Sequence, residues 1–327
     1  MPRISIAEIE AHSKTALMRH GAAEWVAAEV ARAIGRAEAT GNVICGLYYL
    51  ESYCQQLVSG RVKGDVEPVV SLPRPGSVRV DAGFGFAQTA FARALPQALA
   101  AARDCGTASL AIGHAHTCTS LGYFTEQIAL QGLLAIGFTN ASPIVAAPGG
   151  KTRVIGTNPI AFSAPDGQGG IAMQFDFSTS AVALGKITMA KAAGQSIPPG
   201  WAVDADGQPT TDPEAALAGA LVSAGGHKGW GFGLMAELLA AGMTGGVNSL
   251  DVKPLKAPEG APHDLGQFYL IIDPALSPDF ANRFARLAEA IARDEGARLP
   301  GARLKGQDSA EVPEALWQLV KGLCEPT

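Results

Sequence analysis

The 327-residue chain has little charge and few aromatic rings: charged residues make up 17% of it and aromatics 6%. Its formal charge is -5, so no basic field is present to hold nucleic acid or an anionic membrane surface. No uninterrupted apolar run comes near the roughly 18 residues of a membrane span. The opening Met1-Pro2-Arg3-Ile4-Ser5 lacks a basic segment followed by an apolar one, so no secretory signal is expected. The five cysteines are odd in number, irregularly spaced and without a CxxC pair. That sets aside a disulfide framework and predicts reduced thiols in a cytoplasmic protein. Glycine is plentiful at 39 residues, yet no G-x-G-x-x-G is complete. The nearest stretch, Gly83-Phe84-Gly85-Phe86-Ala87-Gln88, lacks the third glycine and reads equally as a tight strand-to-helix turn.

What is present is a chain with 47% hydrophobic residues, long enough for a large core without metal or disulfide staples. Three segments are expected. Residues 1–75 read as helices that contribute to a site. Ser5-Ile6-Ala7-Glu8 fits a capping box, Gly21–Ala39 carries apolar residues at helical spacing, and a further helix is expected over about 46–59. Residues 76–260 alternate strands and helices, the α/β pattern. Strands are expected at 77–80, 108–112, 133–139 and 170–177; helices are expected at 86–103, 120–131 and 181–193. Pro96 weakens the first of those helices. Residues 194–226 read as loops and 230–241 as helix. Residues 261–327 supply a strand at 267–272 and helices at 279–294 and 310–323 that pack back on the core.

Polar stretches interrupt this apolar background. Gly113-His114-Ala115-His116-Thr117-Cys118-Thr119-Ser120-Leu121-Gly122 follows a strand and opens a helix. It suits a phosphate or polar ligand at a helix N-terminus, or serves only as a cap with two incidental histidines. His-x-His-x-Cys has no nearby carboxylate or second paired motif, so no metal is expected. Gly156-Thr157-Asn158-Pro159 turns the chain. Asp176-Phe177-Ser178-Thr179-Ser180 offers either a cap or a ribose-binding acid. Gly225-Gly226-His227-Lys228-Gly229 places a lysine in a glycine-rich loop, either an anion contact or a hinge, and does not match the P-loop pattern.

In this order, Gly156-Thr157-Asn158-Pro159, Asp176 through Ser180 with Gly185-Lys186, Gly226-His227-Lys228-Gly229 and Arg298-Leu299-Pro300-Gly301 resemble the type 2 malate/L-lactate dehydrogenase family. That family includes Δ1-piperideine-2-carboxylate/Δ1-pyrroline-2-carboxylate reductases. The resemblance spans nearly the whole chain. It implies a non-Rossmann NAD(P)-binding α/β fold with a central mixed sheet and N- and C-terminal helices, NADP or NAD as cofactor, and a homodimer with sites shared between subunits. It further implies nucleotide contacts from His116, Thr117, Cys118, Thr119, Ser120, Leu121, Asp176, Phe177, Ser178, His227, Lys228, Arg298, Gly301 and Arg303, and substrate contacts near Tyr49, Thr157, Leu184 and Gly185.

The departures bear on the reaction. Where the family carries Ser-His-Gly, then an arginine and a tyrosine, this chain has Ile44-Cys45-Gly46, Tyr49 and Tyr53. The histidine that donates a proton and the arginine that holds the substrate carboxylate are replaced. Hydride transfer to a carbonyl makes an alkoxide, and a positioned acid is then worth about 10²–10⁴ in rate. Hydride transfer to a protonated imine needs no such acid. The expected activity is therefore reduction of a cyclic 2-imino acid. A 2-hydroxy acid dehydrogenase and an inactive cofactor-binding protein are the alternatives. Cys45, His116 and Tyr49 are the candidate proton donors, and Cys45 reads equally as a buried small apolar residue. Thr157, Lys186 and Lys228 are the polar groups expected to meet a small imino or oxo acid.

Overall fold

The computed structural model describes residues 1–302, 304 and 306–325. The chain opens with β1 (Arg3–Ser5), α1 (Ile6–Arg19), α2 (Glu24–Ala39) and α3 (Leu50–Val58). Ser5 Oγ accepts the Glu8 amide at 3.2 Å, half of the expected capping box, while Ser5 itself pairs with Ser309. Between α2 and α3 the chain makes two short 3₁₀ turns, Val43–Cys45 and Leu47–Tyr49. Glycine is required at the junction, because a Cβ on Gly46 would run into the carboxylate of Glu38. That buried carboxylate accepts the Leu47 amide at 2.8 Å and so sets where the helix carrying Tyr53 begins.

There follow β2 (Val69–Arg74), β3 (Ser77–Asp81), α4 (Ala87–Cys105), β4 (Thr107–Ala115), α5 (Gly122–Ala129), β5 (Leu134–Thr139), β6 (Val145–Ala146), β7 (Arg153–Ile155), β8 (Ile160–Pro165) and β9 (Ile171–Phe177). Pro96 is tolerated in α4 because it sits on the exposed face, where water can meet the carbonyl it leaves unpaired. Next come α6 (Leu184–Ala192), β10 (Ala202–Val203), β11 (Pro209–Thr210), α7 (Pro213–Ala218), β12 (Ala220–Leu221) and α8 (His227–Glu237). The chain closes with β13 (Leu265–Ile272), α9 (Phe280–Ile291), β14 (Ser309–Glu311) and α10 (Glu314–Leu323).

The central sheet has seven strands in the order β2-β3-β4-β13-β5-β8-β9. It holds all five strands expected from the sequence. Only β3 and β4 run parallel; every other neighbouring pair is antiparallel. The crevice at the carboxyl ends of parallel strands on which a Rossmann fold depends is therefore not built here. The expected segment boundary near residue 75 falls inside the β2–β3 hairpin, and β13, from the last segment, occupies the middle of the sheet.

Helices α4 and α5 cover one face, with Phe91, Phe124 and Tyr269 in edge and tilted ring contacts. A second core joins α1, α2 and α3 to α10 through Ile9, Leu17, Val30, Leu50, Tyr53 and Trp317. A third lies under the smaller sheet, ordered β11-β10-β12-β6-β7, of which β10, β11 and β12 fall within the region expected to be loops. The last expected helix starts late because 309–311 pair with β1 and Pro313 stands at the N-cap. Among the described residues no helix is long and apolar enough to cross a membrane.

Candidate active site

Five of the expected site residues meet near the N-terminus of α5. Asp176, at the end of β9, accepts the Gly122 amide at 2.8 Å, and the Leu121 amide lies close by. The helix N-terminus that the sequence offered to a phosphate is thus already capped by a carboxylate, because β9 brings Asp176 across to it. Burial raises Asp176 to about 6, against the lowering pull of those two amides.

Beside this cap lies a cleft of about 540 Å³. Ser120, Asp176, Phe177, Arg298 and Gly301 all line it, together with Arg36, Asn42 and Glu126, which the sequence did not single out. Gly301, at φ +85°, lies against the Gln174 backbone too closely for any side chain, and Pro300 O accepts the Gln174 amide at 3.2 Å. These contacts hold the 298–301 segment on β9. Arg36 grips Glu126 with Nη2 to Oε1 at 2.7 Å and Nε to Oε2 at 3.1 Å. Arg303 lies outside the described residues.

The rest of the 116–121 loop turns inward. His116, Thr117, Cys118 and Leu121 are buried. His116 Nε2 is 2.7 Å from Gln56 Oε1. The Gln56 amide group already donates to Leu255 O and Ala257 O, both at 2.8 Å, so its oxygen must accept and His116 Nε2 must carry the proton. His116 Nδ1 has no partner. Burial first, then His263 and Arg61, push His116 well below its ordinary range. It is a neutral imidazole with its one N–H committed, and it does not line the cleft.

Cys45 approaches from the α2–α3 turns. Asn42, whose side chain donates to Ser120 Oγ at 3.3 Å, also accepts the Cys45 amide on its carbonyl at 2.9 Å. Burial and then the nearby Asp176 carboxylate raise the Cys45 thiol to about 12. Burial, with Cys45, Tyr48 and Cys118 close by, raises the Tyr49 phenol to about 12. Tyr49 packs on Tyr53 at 5.7 Å, and Tyr53 on His116 at 5.4 Å.

The remaining expected residues gather on the far side of β9. Thr157 O accepts both the Thr179 amide at 2.9 Å and its hydroxyl at 3.0 Å. Asn158, at φ 35°, donates to Glu237 Oε2 at 2.7 Å and Gly233 O at 3.2 Å. Ala224 N reaches Thr179 O at 2.9 Å. The 156–159 turn, the Ser178–Ser180 loop and the start of α8 are therefore tied together, with His227 and Lys228 exposed at its N-terminus. Leu184 and Gly185 open α6 at the surface of the third core. Among the described residues no three His, Cys, Asp or Glu side chains gather as metal ligands.

Known proteins share this sequence pattern and fold. The family model for malate/L-lactate dehydrogenase matches residues 4–314. A (2R)-3-sulfolactate dehydrogenase (NADP(+)) of Chromohalobacter salexigens is 41% identical over 96% of this chain and 95% of its own. A Δ1-pyrroline-2-carboxylate reductase of Ancylobacter novellus is 40% identical over 92% and 89%. The crystal structure of Δ1-piperideine-2-carboxylate reductase from Pseudomonas syringae pv. tomato superposes with a TM-score of 0.89 at 34% identity, covering 99% of this chain and 100% of that one. Sequence and fold agree over almost the whole length, and the chain belongs to the malate/L-lactate dehydrogenase family of oxidoreductases.

Proposed function

We propose that this chain is an NAD(P)H-dependent reductase of a cyclic 2-imino acid, taking Δ1-pyrroline-2-carboxylate or Δ1-piperideine-2-carboxylate to proline or pipecolate. The observation that carries the reading is the burial of the three candidate proton donors. Cys45 and Tyr49 are both held near 12, and the N–H of His116 is committed to Gln56. None of the three is matched to proton delivery near neutral pH, and Asp176, raised to about 6, is committed to the Gly122 amide at the start of α5. When bound, the reduced nicotinamide supplies a hydride. A protonated imine that accepts it becomes a neutral amine as the C=N π pair returns to nitrogen, with no further proton required. A 2-oxo acid would need one at its oxygen.

The lining residues suit the cofactor. Ser120 and Asn42 offer hydroxyl and amide groups, Arg298 a guanidinium, and Asp176 a carboxylate for ribose hydroxyls. His227, Lys228 and Ser178 extend this set, and Thr157, Leu184 and Gly185 are read as substrate contacts. The chain is also read as a homodimer. Phe232, Met235, Leu238 and Met243 make an exposed apolar stripe along α8 and the turn after it, the kind of face a second copy covers. A place in the cytoplasm fits its five unpaired cysteines.

The test is oxidation of NADH and NADPH with Δ1-pyrroline-2-carboxylate, pyruvate and 3-sulfopyruvate at matched concentrations. Preference for the imine supports the reading. A second reading, a 2-hydroxy acid dehydrogenase, is favoured by the 41% identity to a sulfolactate dehydrogenase, and faster turnover of either oxo acid would establish it. Cofactor binding without turnover of any of the three would leave a non-catalytic binding protein.

A further inference from the structure

A second cavity, of about 310 Å³, is lined by Arg61 and His263 and shares no lining residue with the cleft. We propose that it is a binding site for a small monocarboxylate, held by the Arg61 guanidinium and the Nε2–H of His263. The site stands apart from the reductase reading and does not depend on it.

Arg61 is 2% exposed, and a guanidinium does not shed its proton in a protein. Its Nε donates to Ala261 O at 3.0 Å and its Nη1 to Ala257 O, which leaves Nη2 without a partner among the described residues. Among those residues no carboxylate pairs with it either. A buried cation without a counter-charge is costly, so an anion is favoured in the cavity beside it. His263, 4% exposed, adds a second donor. Its Nδ1 accepts the Thr117 amide at 3.3 Å, so Nε2 carries the ring proton, and that N–H is buried without a partner. Backbone contacts already fix both side chains, so neither must be ordered when a ligand arrives.

The other charged residues on the wall are Asp251, Lys253 and Asp264. Asp251 and Lys253 are exposed, and half-buried Asp264 pairs with His114 Nδ1 at 2.8 Å. Water screens these three far more than it screens the buried guanidinium. The rest of the wall is apolar, with Phe84, Val247, Val252 and Pro262 among its residues. One carboxylate balances one guanidinium there, whereas a phosphate dianion would bring a charge that nothing buried offsets.

The test is the affinity of propionate, measured by calorimetry with and without NADPH, beside that of inorganic phosphate. His263→Phe keeps a ring and removes the N–H. Val247→Phe fills the cavity and leaves both donors. Arg61→Leu is a third variant, with its fold checked by circular dichroism because Arg61 also holds the 257–261 loop. Wild type should bind propionate saturably, equally well with NADPH present, and resist urea better when it does. Each variant should bind it about tenfold more weakly or worse. No saturable binding by wild type would mean that water alone meets the two donors, and would overturn the proposal. Equal affinity in wild type and both phenylalanine variants, displacement by NADPH, or tighter binding of phosphate than of propionate would also overturn it.

Discussion

His116 lies flat against His263, ring centroids 4.1 Å apart and planes 6° from parallel. The Thr117 amide donates to His263 Nδ1 at 3.3 Å, so both rings are neutral and of fixed tautomer. Burial, with Arg61 adding to it, lowers His263 to about 3, against an unfolded value of about 6.5. The unfolded chain therefore binds more protons between those values, and this pair stabilises the fold above about pH 6.5 and loses that contribution on acidification. Urea midpoints of wild type should drop between pH 7 and pH 4.5 more steeply than those of His263→Phe. Identical slopes would refute the buried neutral pair.

Asp176 works in the opposite sense. Its folded value near 6 lies above the unfolded value of about 3.9, so its contribution is fully present below about pH 4 and is lost as pH rises through 6. Asp176→Asn should be relatively more stable at pH 7.5 than at pH 4.5, compared with wild type by chemical denaturation. It should also bind NADPH more weakly, which fluorescence titration would show. A variant that tracks wild type at both pH values would count against the buried carboxyl.

Cys45→Ala should leave imine turnover within about tenfold of wild type, below the 10²–10⁴ expected on losing a true general acid. The pH–rate profile should keep its shape. A collapse of kcat with the fold intact by circular dichroism would instead make the thiol the proton source.

Glu237 is buried and accepts from Asn158 Nδ2, from the Ser249 amide at 2.6 Å and from Ser249 Oγ at 2.5 Å. Glu237→Leu strands all three donors and should cost about 3 kcal/mol, with loosened cofactor affinity because Asn158 ties the 156–159 turn to α8. A loss below about 1 kcal/mol would mean that water or rearrangement satisfies those donors.

Apolar runs with turn residues between them made the central strands and the large helices legible, because a two- or 3.6-residue period survives over four or more positions. The two-residue strands of the smaller sheet carry no period. Strand β2 was hidden by Pro73 and its exposed face. Of the residues that line the cleft, Ser120, Asp176, Phe177, Arg298 and Gly301 are legible in the sequence because each belongs to a short motif. Arg36 with Glu126, 90 residues apart, leaves no local mark. His116 reads as a proton donor or nucleotide contact because its loop is polar, and only the stacked partner far along the chain shows that the ring is turned inward.

The position of β13 has a bearing on synthesis. Strands β4 and β5 meet only through it, so when the ribosome has made the first 264 residues each still shows an open, apolar edge. Neither half can be sealed until residues 265–272 emerge and thread between them. Such non-local pairing is slow and leaves sticky edges exposed meanwhile. A nascent chain stalled before that strand should therefore be a holdase client rather than a partly working enzyme, whereas release a few residues beyond it permits the sheet to close.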